Sequence, residues 1–236
     1  MRLVLGLLAL LCAFAARADG FGQLGTLAQG EFRLLSEDLG AALSYKPLVP
    51  AEPLGITGLD IGVEVSATDL QSEQLLERAT NEDVPGMLPL ARLHLHKGLP
   101  FGIDLGASYS GLPDLGIELW GGELRYAILK GGVAVPAVAV RGSFTKLQGV
   151  DELDFETRAI DLSISKGFTL LTPYAGVGRV WVTSTPNGIA TLSEEDFGLT
   201  KYFAGLNIAL GIISLAAEAD RTGEAWTYSG KLALRF

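Results

Sequence analysis

The chain has 236 residues, enough for one barrel or for one to two ordinary domains. Hydrophobic residues make up 48% and charged residues 19%, yet no apolar run after the first twenty residues is long enough for a spanning helix. The formal charge of −9 becomes −11 once Arg2 and Arg17 leave with an acid-free leader, which opposes a nucleic-acid partner.

Residues 1–18 read as a secretory signal peptide. Arg2 supplies the charged start, residues 3–15 an apolar stretch too short to span a bilayer, and Ala16-Arg17-Ala18 an A-x-A cleavage site. Cys12, the only cysteine, lies in this leader behind Leu11, where lipoprotein leaders carry a small residue. The mature chain therefore has no disulfide, no thiolate metal site and no cysteine nucleophile. Residues 19–55 form an N-terminal unit. Leu24, Leu27, Ala28, Leu35, Leu39 and Leu43 recur at helical spacing and predict a helix over 21–44, with Gly40 a candidate early end. Pro47, Pro50 and Pro53 with Gly55 then predict an extended linker. The amphipathic helix suits a plug inside a barrel, a periplasmic cap or an interfacial helix. Glu31, Arg33, Glu37 and Asp38, which can join charges in a lumen, favour the plug or cap.

From residue 56 the period becomes two. Thr57, Leu59, Ile61, Val63, Val65 and Ala67 oppose Gly58, Asp60, Gly62, Glu64, Ser66 and Thr68. An apolar face against a small or charged one fits lipid outside and a polar lumen inside. Ten such strands are predicted, at 56–68, 88–97, 101–110, 115–129, 133–147, 153–166, 172–185, 197–210, 213–221 and 225–236. The fourth changes phase at Gly121-Gly122, which predicts a β-bulge there. Short connections at 97–100, 130–132, 166–168 and 211–212 alternate with longer ones near 69–87, 111–114, 148–152, 186–196 and 222–224. Short turns belong on the periplasmic side, with the C-terminus. A short outer helix is expected over 71–78. The fold expected is all-β: an antiparallel up-and-down transmembrane barrel of ten strands over 56–236 with a short N-terminal helix, or twelve strands if residues 41–49 pair.

Alternation places many charges inward: Asp60, Glu64, Arg92, His94, His96 and Asp104 early, Arg125, Arg141, Asp161 and Arg179 in the middle, Lys201, Glu218, Lys231 and Arg235 late. A narrow lumen with both signs predicts an internal network of ion pairs; the sharper alternative is a selective polar pathway. His94 and His96 share the lumen face, and a tight 97–100 hairpin would set His94 opposite Asp104, an oriented imidazole with acid–base potential. No third ligand accompanies the two histidines, so no metal and no cofactor is expected. Tyr174, Trp226 and Tyr228 near strand ends, and Trp181 if it does not share an inward phase with Arg179, read as an aromatic girdle at the membrane interfaces. No G-x-S-x-G, phosphate loop or zinc-protease motif occurs.

The last eleven residues, from Trp226 to Phe236, resemble the closing strand of bacterial outer-membrane barrels. That resemblance implies the Gram-negative outer membrane as location, its lipid as solvent, and Phe236 as the signal read by the barrel-assembly machinery. It implies no activity, since porins, enzymes, adhesins and transporters share it. Leu39-Gly40, Pro50-Ala51-Glu52-Pro53-Leu54-Gly55, His96-Lys97-Gly98-Leu99-Pro100-Phe101 and Leu119-Trp120-Gly121-Gly122-Glu123-Leu124-Arg125-Tyr126 resemble an uncharacterised proteobacterial barrel family, which has no activity to transfer. A segment ahead of the first strand is loosely similar to fatty-acid transporters of the FadL type. Three functions are thus in view: a non-enzymatic barrel with a structural role or passing a small solute, a transporter of hydrophobic molecules gated by its N-terminal segment, and an enzyme using His94, His96 and Asp104.

Overall fold

The computed structural model describes residues 20–112, 116–132 and 134–236. The expected leader lies outside them. After a short 3-10 turn at Leu24–Thr26 comes helix α1, Gln29–Leu43. Strand β1, Leu59–Asp69, is followed by a short helix α2, Glu73–Thr80, in the long connection to β2, Met87–Gly98. The rest are β3 Ile103–Leu112, β4 Ile117–Lys130, β5 Ala137–Gln148, β6 Leu153–Ser165, β7 Leu171–Pro186, β8 Glu195–Leu210, β9 Ile213–Thr222 and β10 Ala225–Arg235. Each strand pairs antiparallel with its chain neighbours, and β1 pairs with β10, so the sheet closes on itself. Leu59 and Phe236 exchange backbone hydrogen bonds at the seam. Closure leaves no edge whose amides and carbonyls would face lipid unpaired.

The ten predicted strands are all present. Residues 41–49 do not pair into an eleventh and twelfth; they end α1 and begin an extended leg inside the barrel. Gly40 does not end the helix. An added Cβ there would stand 2.6 Å from Val182 Cγ2, so the glycine lets α1 press against β7. The bulge expected at Gly121-Gly122 is absent: pairing with both neighbours runs unbroken through the pair, and the irregularity falls between Ala127 and Leu129.

The outward side chains form a band of Ile61, Val63, Leu93, Leu95, Leu105, Leu124, Ile160, Leu162, Leu215 and Leu232, all exposed. In water such a continuous apolar surface would drive association; in a bilayer it is the surface lipid requires. The lumen has two storeys. At the long-loop end, Phe32, Leu35 and Leu39 of α1 pack in an apolar cluster with Leu119, Leu147, Phe155, Val180, Val182 and Leu199 from the wall. Below it, toward the short turns, the wall is polar and charged.

Two misreadings come from this division. Above the lipid the exterior is wet and the interior dry, so the alternation inverts. Leu119 turns inward on β4, which mimics a phase change. On β7, Val180 and Val182 turn inward, so Arg179 and Trp181 face out. Arg179 is therefore a residue of the outer surface, not of the lumen. Tyr174, expected at the interface, is 4% exposed and points inward. Its ring occupies the space above Gly205, where a Cβ would meet Cζ at 2.4 Å.

Candidate functional site: a lumen filled by the chain's own N-terminal segment

Helix α1 enters from the long-loop end. Gln29 donates to the Ser193 carbonyl and to Glu195, and accepts from the Ser193 amide at 2.8 Å. Arg33 stacks 3.7 Å above the Phe197 ring and pairs with Glu195 at 3.1 Å. Asp38 accepts the Gln71 and Ser72 amides at the foot of the long loop. Arg78 of α2 donates to Glu31 and holds that carboxyl below its ordinary value. The helix is thus in the lumen, and its first turn is at the end opposite the short turns.

From Ser44 the chain descends as an extended leg whose residues through Ala51 are buried. Its composition explains how the wall holds it. Proline has a carbonyl but no N–H, so a leg carrying Pro47, Pro50 and Pro53 offers more acceptors than donors. Arginine and lysine are donors only. Four wall cations from four strands meet these carbonyls. Arg92 on β2 donates to the Ser44 carbonyl at 3.4 Å, and to that of Ala42 in the last turn of α1 at 2.7 Å; Lys201 on β8 donates to that of Tyr45 at 3.2 Å. Lys231 on β10 donates to the Pro47 carbonyl at 3.3 Å, and Arg125 on β4 to that of Pro50 at 2.5 Å. Two of the leg's amides find acceptors on the wall: Ala51 donates to Ser165 and Leu54 to Asp104. Lys46, the leg's own cation, is fully buried and lies 2.9 Å from Asp220.

Three of these four cations are also paired with an acid. Arg92 pairs with Glu64 at 2.8 Å and Arg125 with Asp104 at 2.7 Å. Lys231 pairs with Asp60 at 2.6 Å; Arg235 joins the same carboxylate at 2.9 Å. Arg141 pairs with Asp161 at 2.7 Å, and Glu123 stands between Arg141 and His96 at 3.7 and 3.6 Å. Glu218 is buried on β9, opposite Ser229 of β10 and Gly205 of β8. Removing one partner from such pairs strands a buried charge, a cost of about 3–5 kcal/mol.

His94 and His96 stack nearly parallel with ring centroids 5.6 Å apart. His94 Nε2 lies 2.6 Å from Glu64, and His96 Nδ1 lies 3.4 Å from Asp60. Tyr45 of the leg closes over both, edge-on to His94 at 5.8 Å and with its hydroxyl 3.4 Å from His96 Nε2. The expected pairing of His94 with Asp104 does not form. β2 runs to Gly98 and β3 starts at Ile103, so Gly98 faces Asp104 and His94 faces Ser108. Asp104 is committed to Arg125 and the Leu54 amide. The three residues are therefore not one constellation. Among the described residues no group of three or more His, Cys, Asp and Glu side chains is arranged to hold a metal ion.

On the outer surface, Trp226 and Tyr228 face away from the lumen, 42% and 53% exposed, with rings stacked 6.4 Å apart. Phe236 is 60% exposed at the short-turn end.

No protein-family model matches the sequence, and no curated protein matches it either. The narrower family resemblance and the likeness to FadL-type transporters thus gain no support. Solved structures do match. An outer-membrane channel from Pseudomonas putida F1 aligns over 82% of this chain and 100% of its own, at 11% identity and a TM-score of 0.50. The β domain of the Bordetella autotransporter BrkA aligns over 76% and 99%, at 12% identity and a TM-score of 0.45. The N-terminal β-barrel domain of Pseudomonas aeruginosa OprF aligns over 75% and 97%, at 12% identity and 0.40. The chain has the fold of bacterial outer-membrane β-barrels.

Proposed function

We propose that this chain is a non-enzymatic outer-membrane barrel that its own N-terminal segment holds closed, and that small polar solutes pass only when the extended leg shifts. The observation that carries this reading is the grip of Arg92, Arg125, Lys201 and Lys231 on the carbonyls of Ser44, Pro50, Tyr45 and Pro47 in the leg. The wall donors that would line a wet channel are spent on the leg. The same bonds are exchangeable for water, whereas the apolar packing of α1 is not, so the leg is the movable part and the helix its anchor. The leader over 1–18 delivers the chain to the periplasm, and Phe236 presents the closing strand to the barrel-assembly machinery.

The test is single-channel recording in planar bilayers. The intact protein should show rare, brief openings. A variant lacking residues 21–50 should conduct steadily, with several-fold larger amplitude. Steady conductance of equal amplitude in both would sink the proposal.

A second reading, movement of hydrophobic molecules through the wall, is favoured by the β2–β3 seam. These strands pair only from Leu93/Tyr109 down to Gly98/Asp104. Above that, Arg92 and Ser110, then Ala91 and Gly111, continue as strand on both sides without pairing. Pro89, which has no N–H, pairs with β1 but sits in the part of β2 that does not pair with β3. Leu88 and Leu90 behind it pack on the apolar storey of the lumen.

A further inference from the structure

The inversion of alternation on β5–β7 leaves three cations outside the barrel. Lys146 on β5 faces Glu156 across the ladder, and Arg158 is the next outward residue of β6 toward the short turns. Arg158 faces Trp181, and Arg179 is the next outward residue of β7 in the same direction. Hydrogen-bonded rows climb the other way. The row that starts at Ala137, the first residue of β5, passes Ser165, the last of β6, and reaches Tyr174, well inside β7. Climb and step nearly cancel, so the three cations stand at about one height on adjacent strands.

That height is a boundary. Toward the short turns the outward residues are Val138 and Val140 on β5, Ile160, Leu162 and Ile164 on β6, and Val177 on β7. Toward the long loops they are Gln148, Glu156, Asp154 and, beyond Trp181, Thr183. Arg158 is paired with Glu156 at 2.9 Å, but its side chain is 75% exposed. Among the described residues neither Lys146 nor Arg179 pairs with an acid. Arg179 lies flat across β8, its Nη1 3.3 Å from Thr200 Oγ1. Gly198 leaves room for it: a Cβ there would meet Nε at 2.5 Å. A cation facing the bilayer is tolerated near the interface, where a headgroup anion can meet it. A guanidinium's fork suits a phosphoryl group.

We propose that Lys146, Arg158 and Arg179, flanked by Trp181, form a binding surface for the phosphoryl groups of a phosphorylated glycolipid in the outer leaflet. The surface rests on the outer-membrane reading and on the long loops facing outward. The acyl chains lie along the Ile160 and Val177 stretch, and the headgroup stands against the three cations. Glu156 and Asp196 rim the shallow hollow beside Trp181 and set the upper limit of the phosphate site.

Native mass spectrometry of the detergent-purified full chain tests this, with three probes: a bisphosphorylated acylated glucosamine disaccharide, the same lipid dephosphorylated, and inorganic phosphate. The wild type should retain the bisphosphorylated lipid at least tenfold better than the dephosphorylated one. The Lys146→Gln/Arg158→Gln/Arg179→Gln variant should lose that preference. Gly198→Val, which displaces Arg179 without removing charge, should weaken it severalfold. Equal retention of both lipids by the wild type, or an unchanged preference in the triple variant, overturns the proposal. So does displacement of the lipid by millimolar inorganic phosphate, which would mark a free-anion site. Heat-modifiable migration on gels, run on every sample, reports barrel folding and so separates failure of this surface from failure of the barrel reading.

Discussion

Arg125 shows what a single wall residue does. It donates twice to Asp104 and reaches the Pro50 carbonyl, joining β3, β4 and the leg in one buried group. Arg125→Met would leave the Asp104 carboxylate with only the Leu54 amide, at a cost of about 3–5 kcal/mol. Arg125→Lys keeps the charge but loses the fork and should cost about 1–2 kcal/mol. The Arg125→Met/Asp104→Asn pair should recover much of the loss, because no charge is then stranded. Denaturant unfolding followed by tryptophan fluorescence in micelles measures all three. Equal destabilisation by Met and Lys would show that the pair does not hold the wall. Residues of this kind were legible in the sequence as inward charges, because alternation places them. Their partners were not, because register depends on where β2 ends and β3 begins, and the 97–102 turn shifts it.

At the scale of elements, the strands were legible because lipid outside and polar groups inside make the period two. Legibility failed at β4 and β7, where the apolar storey of the lumen and the wet exterior exchange that pattern. The cause is α1: its Phe32, Leu35 and Leu39 need apolar partners, and Leu119, Val180 and Val182 supply them. Gly40 gives a prediction of opposite sign to helix propensity. In an isolated helix Gly→Ala gains about 1 kcal/mol. Here the new Cβ would stand 2.6 Å from Val182 Cγ2, and a β-branched side chain on a strand has little freedom to yield. Gly40→Ala should therefore destabilise by about 1–3 kcal/mol. Gly40→Ala/Val182→Ala should restore most of that stability. A more stable single variant in the unfolding assay would mean that α1 does not pack against β7 in this way.

At the scale of the whole molecule, a barrel with a filled lumen can move cargo vertically, by shifting the leg, or laterally, through the wall. Nine of the ten strand pairs are long, so the β2–β3 seam is the place where the wall is weakest. Unpaired amides and carbonyls facing hydrocarbon cost several kcal/mol each, so an opening is tolerable only near the interface, and the unpaired part lies at the long-loop end. Cysteines at Ala91 and Gly111, which the register sets opposite each other, would staple it. The added Cβ at Gly111 meets only the tip of the Tyr109 side chain, which can rotate away. Removal of the proposed leader over 1–18 would take Cys12, the one native cysteine, with it and leave no other thiol to compete for the bond. Under lateral movement, Ala91→Cys/Gly111→Cys should slow entry of a fluorescent hydrocarbon probe into expressing cells severalfold when oxidised, and a reductant should restore it. The conductance of the 21–50 deletion should be the same with the staple closed or open, because its path runs along the lumen axis. Probe entry that ignores the staple would leave the leg as the only gate.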